Sequence, residues 1–568
     1  ARGIRFTAIL GYPPTELAPS GESMFDIMST RLEPMRRHLQ TAATEFAPQA
    51  SGWQWGADGA AGFDTDFDPE RLAPARETLR NMANAFQQAL PVNLRTAREL
   101  PDPRTAEAVS LWADARMTEE EICTRTAEVL PYYFARLDNP EPPVYPSRFM
   151  LALVAAHAKS VDPHRSETMD IARRQHWLSL ELPPVDPHLR DRESERRQMR
   201  ELVRKAVVGR ALGFDRINLG KLADPAQGLA GLTRTGELIP RPSLLATRTV
   251  TEYLADAEFI GSFQFDDDIS NYVFRRGEHA LMALWYTGLA PSKAVEIGQG
   301  GAMRLVDIFG NESPVPPSTQ VLVTDLPVFV DNITLPWALT NMSIRIESAP
   351  TLRSVTRMQP QFLTLRNFFA DPLDGKIRIL YALALGPNGQ QTPERDWGTL
   401  PVELPVLLPG APNPQDRVEY RFPFDVRPPQ GAVLGEKLIQ LQARLSAGGI
   451  YNFNLFRRTT LTSDINLEYR PVVAREPGMR HIRLMATWKP EGVLNTPPLL
   501  NMVPYYQMEG EPFTPEGEVT LTAGRQMVRE LQIPVPRKRG TRLWIGLFED
   551  GGTRFARLEI DFKDIYSE

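Results

Sequence analysis

Apolar positions over the first 255 residues follow two alternating patterns. Short apolar runs, each the length of one strand, occur at "IRFTAIL" (4–10), "GWQWG" (52–56), "PVNLR" (91–95), "AVSLWA" (108–113), "HWLSLEL" (176–182) and "FDRINLG" (214–220). Among and around them, apolar residues recur at helical spacing: Met35, Leu39, Ala42 and Phe46 behind Pro34; Leu79, Met82, Ala83 and Phe86; Met199, Leu202, Val203 and Ala206. The run at 108–113 reads equally as helix on pattern alone. Strands alternating with amphipathic helices predict a parallel α/β layer, because a parallel neighbour can only be reached by a crossover.

After residue 256 the period becomes two and turn residues multiply. "ALMALWYTG", "AMRLVDIFGNESPVP", "TQVLVTDLPVFV", "GKIRILYALALGPNGQ", "RHIRLMATWKP" and "RLWIGLFEDGG" read as strands separated by Gly, Pro and Asn turns. Many of the 51 prolines fall here, where they suit edge strands and linkers. The expected organisation is an α/β domain over 1–255, a β-sandwich over 256–335, an Ig-like β-sandwich over 336–470 and a C-terminal β-sandwich over 471–568. No repeat of solenoid period is visible.

Composition narrows the function classes. A chain of 568 residues is too long for one hydrophobic core, so several domains are expected. With 64 basic and 70 acidic residues the net charge is −6, which gives no pull toward nucleic acid. One cysteine, Cys123, excludes an internal disulfide, and the seven histidines show no zinc-ligand spacing, so neither metal nor cofactor is expected. No run approaches the roughly 20 apolar residues of a membrane span. The charge-dense run 190–205 alternates in sign along a helix whose other face is apolar, and is expected to be a solvated face. "DDD" (266–268) is read as a solvated turn rather than a calcium site, and "GQGGAM" (298–303) as a turn between strands. Asn311, Asn332 and Asn341 head N-x-S/T triplets.

The order "WQWGAD", "WLSLELPP", an amphipathic helix, "GFDRINLG…IPRPSLLATRTVTEYL" and then "HALMALWYTG…MRLVDIFGNESPVP…VLVTDLPVFV" resembles the latter part of a clan A glycoside hydrolase. In that family a Pro-led helix closes a (β/α)₈ TIM barrel, and a small sandwich with a "DlfGn" turn and a "PvfV" strand follows. The resemblance covers about 1–335, is densest from 176 to 330, and says nothing of the later modules. It implies chemistry at the C-terminal ends of the barrel strands, with two carboxylates about 5–5.5 Å apart in a retaining enzyme. Glu181 occupies the position of the nucleophile on the seventh strand; read without the family, it is equally a loop cap or an ion-pair partner. The fourth strand's Asn-Glu pair is replaced by Ala57 and Asp58. Asp58 is one methylene short of the usual acid, and a misplacement of about 1 Å can cost about 100-fold. Ala57 offers no hydrogen bond to the substrate. Trp55 and Trp177 are candidate sugar-stacking rings.

Six strands are counted, beginning at what would be the third of eight. An upstream segment, another chain, or sequence beyond the present one is therefore expected to complete or cover the sheet. Two functions follow from the resemblance. One is a catalytically degenerate, carbohydrate-binding or structural component of a larger extracellular or cell-surface assembly. The other is an active retaining glycosidase with Glu181 as nucleophile and Asp58 as acid/base.

Overall fold

The computed structural model describes residues 6–10, 32–46, 50–55, 92–95, 108–113, 115–129 and 175–185, a few isolated positions, and most residues from 192 to 561. Breaks in that last stretch include 220–230, 234–238, 473–477 and 491–498. The expected helix at 79–86, Ala57 and Asp58 lie outside the described residues. The chain divides into two compact units, Ala1–Met342 and Ser343–Glu568.

The first unit begins with β1 (Phe6–Leu10), α1 (Leu32–Phe46), β2 (Ala50–Trp55), β3 (Val92–Arg95), β4 (Ala108–Ala113), α2 (Glu119–Val129), β5 (Gln175–Leu180), α3 (Arg192–Ala211), β6 (Arg216–Leu219) and α4 (Pro242–Leu254). All six expected strands are present, and the ambiguous run at 108–113 is a strand. They form one sheet in the order β1-β2-β3-β4-β5-β6, each pair parallel. Neither β1 nor β6 has a further strand partner among the described residues, so an eight-stranded closed barrel is not formed by them. Helix α2 was not expected, although its start carries a readable signal. Glu121 N–H donates to Thr118 Oγ1 (3.2 Å) and Thr118 N–H donates to Glu121 Oε2 (2.6 Å), a reciprocal cap satisfying donors the first helical turn leaves open.

A sandwich follows in the same unit: β7 (Glu258–Gly261), β8 (Ile269–Arg276), β9 (His279–Tyr286), β10 (Lys293–Glu296), β11 (Arg304–Val306), β12 (Glu312–Pro314), β13 (Gln320–Val323) and β14 (Val328–Thr334), then α5 (Leu335–Ser343). Six strands run β12-β11-β14-β9-β8-β7, and β10 pairs β13. The "DIFGN" turn has a clear physical basis. Asp307 Oδ1 accepts the N–H groups of Phe309 (2.8 Å) and Asn311 (2.9 Å), while Gly310, at φ 86°, closes the turn against Thr249 of α4.

One apolar cluster joins the two layers of this unit. Leu178 and Leu180 of β5 and Leu202, Val203 and Ala206 of α3 pack with Ala246 and Val250 of α4. The same cluster continues through Phe274, Leu281, Trp285 and Phe329 of the sandwich. Burying each of the larger side chains contributes about 1.5–3 kcal/mol. Gly209 permits the close approach of α3 to the sheet: a Cβ there would stand 2.5 Å from Leu178 Cδ2 and 3.2 Å from Ile217 Cδ1.

The second unit is built almost wholly of antiparallel sheets. Arg345–Glu347, Gln359–Arg366, Glu419–Arg427 and Gly398–Leu400 form one; Ile450–Thr462, Gly435–Ser446, Leu373–Leu385 and Gln391–Glu394 are the long strands of another. Ile465–Val472, Met479–Trp488 and Gln526–Pro534 then pack across a shared core against Leu499–Met508, Arg542–Glu549 and Phe555–Asp561. Asp464, 1 % exposed at its side chain, lies between strands of the two groups. Its carboxylate accepts hydrogen bonds from Ser354 Oγ, Arg554 and Trp488 Nε1 (3.3 Å). Phe555 N–H donates to Ser354 O at 2.6 Å across the same junction.

Candidate functional site at the C-terminal edge of the parallel sheet

Parallel pairing in chain order puts the C-terminal ends of β1 to β6 along one edge. Glu181 stands there, immediately after β5. Its backbone N–H donates to Ala113 O at 2.9 Å, extending the β4–β5 ladder by one residue. Side chains alternate along extended chain, so Leu178, Leu180 and Leu182, all buried, point into the core that contains α3. Ser179 and Glu181 therefore take the opposite face. Ser179 is buried and accepts a hydrogen bond from Asn218 Nδ2 of β6 (3.2 Å), its partner across the ladder. Glu181 is exposed. A charge follows an apolar strand without penalty because the alternation takes it away from the core.

The chain after Glu181 is pinned. Gln198 of α3, fully buried, donates through Nε2 to Pro183 O (3.1 Å) and accepts through Oε1 from Ser243 Oγ of α4 (2.8 Å). The sequence reading missed this role. The available signal was an amide beside Met199 on the otherwise apolar stripe of α3.

Trp55 is the last residue of β2, its backbone registered with Leu10 of β1 and Leu94 of β3, and so shares the C-terminal edge with Glu181. Asp58 follows it by three residues in sequence and is outside the described residues. Trp177 is the third residue of β5, registered with Ser110 and Arg216. At about 3.3 Å per residue it lies about 13 Å of extended chain before Glu181, not at the strand end. The same edge thus carries Glu181 and Trp55, on strands separated by two others, and leaves Trp177 lower in the sheet. β2 and β5 are three strand spacings apart, about 14 Å across a flat sheet at about 4.8 Å each. A carboxylate pair about 5–5.5 Å apart would need a curled sheet with both side chains directed inward.

The remaining sequence candidates are structural. The charge-dense run is not a simple solvated face. Arg196, Arg200 and Arg204 form a stripe on α3 that meets the sandwich: Arg200 Nη1 donates to Asp325 Oδ2 (2.8 Å), Arg196 bonds the same carboxylate, and Arg204 Nη2 donates to Asp325 O (2.6 Å). Burial works against the Asp325 carboxylate, but the hydrogen bonds from Arg196 and Arg200 hold its pKa below the ordinary value. Lys293 Nζ donates to Asp268 Oδ1 (2.7 Å). Asn311 Nδ2 donates to Asp307 (2.7 Å), Asn332 Nδ2 donates to Ala302 O (2.9 Å), and Asn341 is 4 % exposed, so all three amides are engaged or buried in the fold. Among the described residues no group of three or more His, Cys, Asp or Glu is placed to hold a metal ion, and no helix is long and apolar enough to cross a membrane.

No family model matches the chain, and no curated protein sequence is similar to it. Solved structures offer distant likenesses. A gamma-CGTase from alkalophilic Bacillus clarkii aligns with 96 % of this chain and 83 % of its own, at 8 % identity and TM-score 0.27. Red sea bream transglutaminase aligns with 38 % of this chain at 14 % identity and TM-score 0.19, and the chain spans 30 % of that protein's length. An Escherichia coli alpha-2-macroglobulin aligns with 53 % of this chain and 23 % of its own, at 10 % identity and TM-score 0.20. Similarity this low carries no argument about chemistry, which rests on the residues and the topology above.

Proposed function

We propose that the chain is a glycoside-hydrolase-like protein of the cell exterior, altered at its acid/base position, and that it serves as a carbohydrate-binding or structural component of a larger assembly. The observation that carries this reading is the in-order parallel pairing of β1 to β6. With β1 taken as a third barrel strand, β2 and β5 stand fourth and seventh, and Ala57-Asp58 and Glu181 follow the two strands whose ends bear catalytic carboxylates in clan A enzymes. Loss of the Asn at position 57 removes a hydrogen bond to the sugar that can contribute several kcal/mol in the transition state. The shorter Asp58 withdraws the proton donor. Glu181, exposed at the C-terminal edge that also carries Trp55 three strands away, still suits charge-assisted hydrogen bonding to sugar hydroxyls. The outer edges of β1 and β6 are where an upstream segment or another chain would pair to complete the sheet. The trailing β-modules fit a role in secretion or surface display.

The test uses a panel of aryl glycosides and oligosaccharides, with Glu181→Gln as control, alongside co-sedimentation with insoluble polysaccharides. The expected result is retention on polysaccharide with no turnover above the Glu181→Gln background. Turnover abolished by Glu181→Gln would instead establish the active retaining glycosidase with Asp58 as acid. Absence of both turnover and retention would remove the carbohydrate reading.

A further inference from the structure

The outer face of the C-terminal sheet in the second unit joins a buried tyrosine to arginines that lack a counter-ion. In the strand Arg542–Glu549, Leu543, Ile545 and Leu547 point into the shared core, so Trp544, Gly546 and Phe548 take the opposite face. Gly546 registers with Tyr505 on one side and with Arg557 on the other, which sets the three residues in one row across three paired strands. The row needs glycine at its centre: a Cβ at 546 would stand 2.8 Å from Tyr505 Cε1 and 3.0 Å from Arg557 Cα. The Tyr505 ring therefore lies over the middle strand, toward Arg557. Phe513, Phe548 and Phe555 surround that ring, with centroids 5.9, 6.0 and 5.7 Å away. Tyr505 is 3 % exposed, yet among the described residues its hydroxyl bonds no protein group.

A second guanidinium faces Arg557 from the preceding sandwich of the same unit. Phe555 N–H donates to Ser354 O (2.6 Å) and Val355 bridges Arg554, which brings Arg353 beside the strand Phe555–Asp561. Arg353 is half-buried and donates through Nη1 to Ala432 O (3.1 Å). Burial holds its guanidinium below the ordinary value, and the charge of Arg557 adds to that. Among the described residues neither arginine forms an ion pair. Nearby arginines do: Arg554 is held by Asp464, and Arg542 engages Glu559, the next residue on this face of the strand (3.2 Å). Two half-buried like charges side by side are unfavourable, and an anion between them relieves both the burial and the repulsion.

We propose that this face binds a chain of acidic sugars, with a uronate carboxylate taken by Arg557, Arg353 and the Tyr505 hydroxyl and the sugar ring laid against Phe513 and Trp544. Charge complementarity selects an anion, and the planar guanidinium fork suits a carboxylate. Phe513, 54 % exposed, and Trp544, half-buried, offer apolar surface beside the row for the C–H face of a sugar ring. An acidic peptide fits less well. Extended peptides bind by adding to a sheet edge, whereas Arg542–Glu549 has a paired strand on each side. The sugar character of the ligand rests on the carbohydrate reading above; the site itself shares no residue with the Glu181 edge.

Isothermal titration of the full chain with a galacturonate trimer tests this, beside the fully methyl-esterified trimer, which keeps the rings and removes the charge, and a glutamate trimer. The acid sugar is expected to bind about tenfold more tightly than either comparison ligand. Arg557→Gln is expected to weaken that binding about tenfold and Tyr505→Phe about threefold, with no fall in the thermal melt of Arg557→Gln because the repulsion with Arg353 is removed. Equal binding of acid and ester, a comparison that needs no variant, would overturn the proposal. So would equal affinity in Arg557→Gln, or a glutamate trimer that binds as tightly as the sugar. Retention on neutral polysaccharide without binding of the acid trimer would overturn this site alone and leave the earlier reading standing; retention on none would remove both.

Discussion

Replacing Gln198 by Leu tests whether the loop behind Glu181 is held by a single buried amide. Leucine keeps most of the volume of the side chain and suits the helix and the apolar stripe of α3, so packing alone would change little. What is lost is two buried hydrogen bonds. Pro183 O loses the donor at 3.1 Å, and the Ser243 hydroxyl, on a residue with no exposure, loses its acceptor at 2.8 Å. Leaving a buried polar group unpaired costs about 1–3 kcal/mol. Two such groups, less the apolar gain of the leucine, give an expected loss of about 2–4 kcal/mol. Urea unfolding would measure this directly, and limited proteolysis across 181–191 would show the loop opening before the rest of the chain. The interaction has a sign that an unrelated packing defect would not reproduce. Ser243→Ala should be destabilising by about 1–3 kcal/mol alone, and neutral or mildly stabilising when Leu already stands at 198, because it then removes an orphaned hydroxyl. A Gln198→Leu loss below about 1 kcal/mol, or strictly additive effects of the two changes, would refute the reasoning.

Other outcomes are equally specific. Gly310→Ala places a Cβ at φ 86° and 3.2 Å from Thr249 Oγ1, and should lower unfolding free energy by about 1–3 kcal/mol in thermal melts. Asp464→Asn leaves the Arg554 charge uncompensated at a buried junction and should lower the stability of the second unit by about 3–5 kcal/mol. Adding Arg554→Met should recover part of that loss in a double-mutant cycle. The Asp325 carboxyl titrates below its ordinary value of 3.8, so its contribution is present above that pH and is lost as pH falls toward the lower, folded value. Asp325→Asn should flatten this acid limb of the urea midpoint profile. If the limb persists unchanged in the variant, the arginine stripe is not its cause.

Much of the first layer was legible because short apolar runs and helical stripes have different periods. All six strands, α1 and α3 follow from that contrast, whereas α4 was expected only from the Pro-led helix that the family resemblance implies. Helix α2 escaped it: Glu119, Glu120 and Glu121 crowd its start with charge, and only the Thr118–Glu121 spacing announces it. The arginines of α3 were misleading for a related reason. Alternating charge on an exposed face has the same sequence pattern as charge that meets a complementary carboxylate elsewhere, and Asp325 is 125 residues from Arg200. At the candidate site, the alternation Leu178, Leu180, Leu182 against Ser179, Glu181 was readable from the strand itself. The pinning by Gln198 and Ser243 was not, because it depends on how α3 and α4 cross. The height of Trp177 in the sheet depended on where β5 ends, which an apolar run running on into Glu181 and Leu182 does not mark.

The apolar cluster running from β5 through α3 and α4 into β8 and β9 has a consequence for how this protein can be cut or inherited. Ending the chain at 255 would strip the outer faces of α3 and α4 and expose Val250, Tyr253 and Leu254 to water, while the sandwich alone would present Phe274, Trp285 and Phe329. The two layers are therefore expected to melt together, to be expressed well only together, and to have been passed on through recombination as a single inseparable piece.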